Sequence, residues 1–509
     1  MEVSNSYQWN EGAQHVIHNL TYISANASQE ALEAVGFNAT NTLLASLAIV
    51  FVLLMTPALG LFYGGLVRRK STLTIINQCV ASLGITTLIW IFGGFSLAFG
   101  PSVGKGIIGD PSTYFAFRNL LFAGGWQGPV GLVFANFTNG VPLILYFAYQ
   151  LAFAIITPPL MVGAFADRMK FKNYLIFLVL WQYLIYIPFA HWIWGQGFLA
   201  EAGVLDFAGG IVIHVTAGFG ALAAAFVLGK RYTLKNEKVK QNNIPMTIIG
   251  ATLLFLGWFG FNVGGSAFQK TDAATTTVAT SSWINTIIAM GTAMVMWMIF
   301  ETIFTKKHKP SSVGIVTGAI AGLATITPAA GYVPIWSAPV IGFAASVICY
   351  GCARLMHHSK IDDSLEVWAV HGMGGVTGSI LIGAFAAKAV NPTIIYSVID
   401  SPRDEYGILF GLQIGAVALA AAYAFAFTSV LVLITKPRLN VHEQLGHIDY
   451  LLHDEDAYSM DFLVVTPQEI MDAQKEDNQK VYQKLAGYVT KKERFELISK
   501  HHETEENHH

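Results

Sequence analysis

The feature that most constrains this chain is a recurrence of apolar runs long enough to cross a bilayer, about 20 residues each. Eleven follow one another, near 42–66, 73–100, 142–166, 174–194, 209–229, 245–265, 281–304, 312–328, 335–355, 368–388 and 408–435. Backbone in hydrocarbon must satisfy its own hydrogen bonds, so runs of this length predict helices. The expected fold is an all-α polytopic membrane protein with eleven transmembrane helices. Charged residues make up 12 % of the chain, against about 25 % in soluble domains. The 48 glycines suit close helix packing in lipid. Cys79, Cys349 and Cys352 lie in or beside apolar runs, which implies neither a disulfide framework nor a thiolate metal site. No metal, cofactor or nucleic-acid partner is expected, and the lipid bilayer is the principal surrounding.

Three regions follow: a polar tail over 1–41 without Lys or Arg, a membrane domain over 42–435, and a polar tail over 436–509. Loops after odd-numbered helices hold 16 basic residues and loops after even-numbered ones 5. By the positive-inside rule the N-terminus is extracellular and the C-terminus cytoplasmic, in a multi-pass cell-membrane protein. Four Asn-X-Ser/Thr sequons, at Asn19, Asn26, Asn38 and Asn136, fall on segments assigned outside, as a glycoprotein would have them. Helices 1–5 and 6–10 read as an inverted 5+5 repeat, with helix 11 outside it. Such repeats place transporter sites near the midplane. Near 467–500 a helix-like segment with one weakly amphipathic face is expected.

Ionisable side chains inside spanning segments usually mark a pathway or site. His214 and His371 both lie in apolar runs, each with a glycine four residues on, Gly218 and Gly375. Two adjacent imidazoles can share a proton and present polar edges to a small solute; the plainer reading is two packing histidines. Phe153, Trp194, Trp258 and Phe261 offer ring faces that attract cations and edges that exclude water; the plainer reading is an interfacial belt. Asp206 precedes Gly-Gly and an apolar run, which predicts a helix N-cap. Asp362, Asp363 and Glu366 read as solvated charge at a mouth.

Several motifs occur in order between about 42 and 435: Phe62–Arg68 (Phe-Tyr-Gly-Gly-Leu-x-Arg), Phe95–Gly100, Asp206-Phe-Ala-Gly-Gly-x-x-x-His214, Gly257-Trp-Phe-Gly-Phe-Asn262, Ile326-Thr-Pro-Ala-Ala-Gly331 and Val370-His-Gly-Met-Gly-Gly375. Together they resemble the ammonium transporter family (Amt/Mep/Rh), and Ile326–Ala338 resembles its fungal-type Mep branch. The resemblance implies a homotrimer of eleven-helix subunits, each with its own pore, and not an enzyme. It implies that ammonium is recruited at an outer aromatic site, deprotonated, and conducted as ammonia through a twin-histidine pore with electrogenic proton co-translocation. Phe153 and Trp194 would form the outer site, Phe153 and Phe261 the gate, and His214 and His371 the pore and proton relay. Asp206, Trp258, Thr327 and Gln150 would support them.

This chain departs from the family pattern in two places. Asn-x-Gly-Ser becomes Asn262-Val-Gly-Gly-Ser266, one residue longer, so the recruitment serine is missing or displaced to Ser266. His453–Tyr458 resembles a bacterial tail segment but carries Asp454 for glycine, which argues against a bacterial PII-type partner while leaving another cytoplasmic regulator open. Two other functions fit the same fold: an ammonium sensor with low flux, and a Rh-like channel passing uncharged ammonia.

Overall fold

The computed structural model describes residues 20–24, 28–34, 36–121, 131–233, 239–269, 272–397, 399 and 406–458. The segment expected near 467–500, and the sequons at Asn19 and Asn26, lie outside the described residues.

Ten described helical stretches are long and apolar enough to cross a membrane: α1 (Ala39–Leu66), α2 (Arg69–Phe99), α3 (Leu143–Phe165), α4 (Phe171–Ala202), α5 (Gly210–Leu228), α6 (Ile244–Phe268), α7 (Ala274–Phe304), α9 (Ile335–His358), α10 (Trp368–Phe385) and α11 (Gly407–Thr435). The eighth element, α8 (Ser312–Ile326), is shorter. Pro328 ends it, because proline has no N–H to donate to the carbonyl four residues back. The buried turns that follow stay satisfied at depth because Asn285 of α7 donates from Nδ2 to the carbonyls of Ala330 (2.9 Å) and Val333 (2.8 Å). The helix count therefore matches the eleven apolar runs. The largest shifts are at α4, which runs on through the short helix Phe198–Ala202 rather than ending at 194, and at α7, which begins at Ala274 rather than 281 because a Thr-rich turn extends it.

The two halves pack through their first and fifth helices. Gly250 and Gly260 of α6 lie against α1, where a Cβ would come within 2.3 Å of the Phe62 nitrogen and 2.6 Å of the Ala48 carbonyl oxygen. Such contacts need small residues, because in lipid helix association rests on van der Waals packing rather than hydrophobic exclusion. Helices α5 and α10 cross in the same way: a Cβ on Gly218 would sit 2.2 Å from the Gly372 Cα, and one on Gly375 2.9 Å from the His214 Cβ. Helix α11 packs along α5 and α10.

The structure adds strands to the all-helical expectation. Leu20–Ser24 (β1) of the N-terminal segment pairs antiparallel with Gly131–Ala135 (β2). Both are short, apolar and β-branched or aromatic, and they lie on the side of the molecule away from the basic loops. On the basic side, α12 (Val441–Leu445) and α13 (Ile448–His453) dock the C-terminal segment. Asp449 accepts from the amides of Leu73 (2.9 Å) and Thr74 (2.7 Å) at the start of α2, and Lys70 donates to the Leu445 carbonyl at 2.8 Å.

A buried ion network supports this face. Asp167 meets Arg68 at 2.7 Å and Arg231 at 3.8 Å and accepts from Ser71. Burial alone would raise its carboxyl, but Arg68 and Arg231 outweigh that and hold it below the ordinary range. Asp362 pairs with Arg231 at 3.1 Å and with the fully buried Arg168 at 3.9 Å. Asp362 is therefore part of a structural network rather than the solvated loop charge its sequence context suggested.

Candidate functional site

Each histidine sits in a turn where the helix is wound one residue looser than α. The His214 amide bonds the Gly209 carbonyl five residues back at 2.9 Å, within the π turn Gly210–Val215. The His371 turn, Trp368–Gly372, is also a π turn. Single π turns inside α-helices recur at functional sites because they re-aim side chains and carbonyls. Here they bring the two rings together: Nδ1 of His371 lies 3.2 Å from Nδ1 of His214, with centroids 5.2 Å apart and planes 19° from parallel. Only one nitrogen of such a contact can carry the proton, so one ring donates and the other accepts. The buried His214 Nε2 has no hydrogen-bond partner among the described residues.

The pair lines a narrow cavity whose other walls are Met55, Leu59, Phe62, Ile156, Leu160, Leu254, Trp258, Phe261 and Ile320. No charged side chain is among them. Trp258 stacks on His214 at 6.1 Å and donates from Nε1 to Thr327 at 3.0 Å. The Thr327 hydroxyl in turn donates a hydrogen bond to the Leu323 carbonyl at 2.7 Å, so it fixes the indole from the wall.

Phe261 stands over His214 at 5.9 Å, and Phe153 packs on Phe261 at 4.6 Å. Trp194 meets Phe153 edge-on at 6.0 Å. Phe153, Phe261 and Trp194 thus form one continuous stack that begins at the histidines and ends on the side away from the basic loops. Gln150 is one turn along α3 and bonds Tyr146 at 3.2 Å.

Asp206 is the helix cap its position predicted. Its buried carboxylate accepts from the amides of Gly209, Gly210, Ile211 and Val212 at 2.6–3.0 Å. Its carbonyl accepts from Trp194 Nε1 at 2.8 Å, so one residue positions both the His214 helix and the outer indole.

Sequence reasoning misread Asp363 as solvated charge and missed Tyr149. Asp363 precedes His371 by eight residues, as Asp206 precedes His214. It is buried and caps α10 by accepting from Val367 at 3.1 Å and Trp368 at 2.8 Å. Burial raises its carboxyl to about 6, against the pull of the Trp368 and Val367 amides. The equal Asp–His spacing was the signal that could have found it. Tyr149, four residues before Phe153 and so on the same helix face, packs edge-on against that ring at 4.8 Å. Ser266, by contrast, is buried with its hydroxyl bonded to the Val263 carbonyl at 2.6 Å.

With this geometry in view, the similarities to known proteins are consistent. Residues 42–458 match the model of the Ammonium Transporter Family. The chain is 40 % identical over 427 residues to the ammonium transporter Amt1 of Archaeoglobus fulgidus, covering 82 % of this chain and 98 % of that one. It is 38 % identical to ammonium transporter 1 of Dictyostelium discoideum, covering 82 % and 87 %. Among solved structures it resembles Saccharomyces cerevisiae Mep2, with a TM-score of 0.70 at 33 % identity over 80 % of this chain and 88 % of that one. A protein described as a sensor Amt protein aligns with a TM-score of 0.69 at 26 % identity, covering 81 % and 97 %.

Proposed function

The chain belongs to the ammonium transporter family, and we propose that it takes ammonium at the Phe153–Trp194 surface, removes a proton there, and conducts ammonia past the His214–His371 pair. The observation that carries this reading is the paired imidazoles closed behind an aromatic stack, in a cavity whose lining holds no charge.

The cost of the alternative supports it. An ion crossing that cavity would shed its hydration with nothing charged to replace it, a penalty of many kcal/mol. Neutral ammonia crosses as a small polar solute and meets the histidine edges on the way. Ammonium and potassium are alike in size and charge, but potassium has no proton to surrender, so the uncharged section rejects it. The ring faces of Trp194 and Phe153 attract the cation before it loses its proton. Asp206, saturated by four amides, acts through its charge and by holding Trp194, not by taking the proton itself. The hydrogen-bonded histidines offer that proton a path. Its passage makes transport electrogenic, driven by about 2.3 kcal/mol per 100 mV of inside-negative potential.

On this reading the basic face is cytoplasmic, the β1–β2 side is extracellular, and three subunits assemble with one pore each. The exposed Asn136 is then an outside sequon open to glycosylation, and the tail beyond 458 is available to a cytoplasmic regulator. The test is a solid-supported-membrane recording on reconstituted protein. An ammonium jump evokes a saturable inward current and a potassium jump does not. Ammonia flux without current points to the uncharged channel, and neither flux nor current points to the sensor.

A further inference from the structure

The extra glycine in Asn262-Val-Gly-Gly-Ser266 has a structural counterpart. A Cβ on Gly264 would lie 2.6 Å from both the Ala48 Cβ and Cε2 of Tyr149, and 3.0 Å from Cζ of Tyr149, so the bare glycine lets that ring pack against the chain. At the next residue, a Cβ on Gly265 would lie 3.8 Å from the Tyr149 hydroxyl, so that hydroxyl sits beside the Gly265 backbone. The two glycines together make a cradle, one admitting the ring and the other leaving room beside its oxygen. The cradled ring stands edge-on to Phe153, whose other neighbours are Trp194 and Phe261. The serine at the end of the motif cannot substitute, since its hydroxyl is buried and committed to its own turn.

Resting on the outer-site reading above, we propose that the Tyr149 hydroxyl, aimed by the Gly264–Gly265 cradle, supplies the hydrogen-bond acceptor for the incoming cation. The ring faces of Phe153 and Trp194 attract positive charge from any direction. They do not discriminate an N–H donor from a bare ion. A phenolic oxygen donates one hydrogen bond and can accept one. That acceptor site can receive an ammonium N–H. Tyr149 is thus a specificity residue: it favours a cation that can donate a hydrogen bond and leaves later steps to the pore.

The space around Gly265 provides the rescue test. A Cβ there would have Phe207 at 3.7 Å and the Tyr149 hydroxyl at 3.8 Å as its nearest neighbours, ordinary contact distances, so a serine fits. Reconstituted full-length wild type, Tyr149→Phe, Ser266→Ala, Trp194→Leu and the double variant Tyr149→Phe/Gly265→Ser are compared by ammonium-evoked current. Size-exclusion elution of the solubilised protein checks that each is folded. Tyr149→Phe is expected to raise the half-saturating ammonium concentration about ten-fold, the loss of one hydrogen bond to a charged group, while keeping most of the maximal current. Gly265→Ser in that background recovers most of the loss, and Ser266→Ala stays within about two-fold of wild type. Unchanged affinity in Tyr149→Phe beside weakened affinity in Trp194→Leu overturns this inference and spares the outer site. Unchanged affinity in both overturns the outer site itself. A larger loss in Ser266→Ala than in Tyr149→Phe overturns the assignment in favour of the serine.

Discussion

Gly218 of α5 rests on the backbone of Gly372 of α10, so close that a methyl group on Gly218 would reach 2.2 Å from the Gly372 Cα. Gly372 adjoins His371, and Gly218 is one turn beyond His214, so this crossing sets the separation of the two rings. Gly218→Ala is expected to force the helices apart at a cost of about 1–3 kcal/mol and to lengthen the 3.2 Å histidine contact. Detergent-solubilised protein should show a lower thermal midpoint, and ammonium current should fall more than surface expression. Unaltered current and midpoint would mean that the crossing does not set the histidine geometry.

Asp206 separates two roles that one substitution series can resolve. Its carboxylate holds four amides and its carbonyl holds Trp194. Asp206→Asn keeps one acceptor oxygen and loses the charge. Asp206→Ala leaves four buried donors without their acceptor, at about 1–3 kcal/mol for each that finds no substitute. The alanine variant should lose folded protein. The asparagine variant should fold but show a weaker ammonium current, measured on matched amounts of reconstituted protein.

Asp363 gives a pH dependence with a definite sign. Its folded carboxyl is raised to about 6 by burial, above the ordinary value of about 4. Between those values the folded state binds more protons than the unfolded one. Its contribution is therefore fully present below about 4 and is lost as pH rises through about 6, on the order of 3 kcal/mol in all. Asp363→Asn cannot ionise and should remove that slope. Thermal midpoints of the two proteins between pH 4.5 and pH 7.5, a range chosen on the same linkage argument, should converge or cross with pH. Parallel curves would mean that Asp363 titrates elsewhere.

Much of this arrangement was legible in the residues, for identifiable reasons. Run length alone placed most helix ends to within a few residues, since hydrocarbon thickness permits little else. His214 and His371 stood out because ionisable groups in such runs are costly, and Asp206 because an acid before Gly-Gly is a cap signal. The π turns were not legible, as no local residue pattern distinguishes them from ordinary helix. Asp363 was hidden between Asp362 and Glu366; all three look solvated until the fold buries Asp363 and pairs Asp362 with Arg231. Tyr149 was hidden because its role depends on Gly264 and Gly265, more than a hundred residues away. The pairing of β1 with β2 is likewise non-local.

The docked part of the tail should matter to the fold, and the remainder should not. Asp449 caps the start of α2 through Leu73 and Thr74, so Asp449→Ala should cost about 0.5–2 kcal/mol. Truncation after Met460 keeps every contact described for α12 and α13 and should leave assembly and transport intact. Size-exclusion elution and ammonium current of the truncated protein check both. Loss of assembly on truncation would assign the tail a structural role.

The most direct test of the histidine pathway is the current evoked by ammonium and by potassium in His214→Ala and His371→Ala. Each replacement strands the partner ring, opens the cavity to water, and breaks the shared proton between the Nδ1 atoms. Both variants should fold and reach the membrane. The account predicts that each abolishes the ammonium-specific current, or replaces it with a leak that potassium also carries. Wild-type current and wild-type rejection of potassium in both variants would contradict it and return the two histidines to packing.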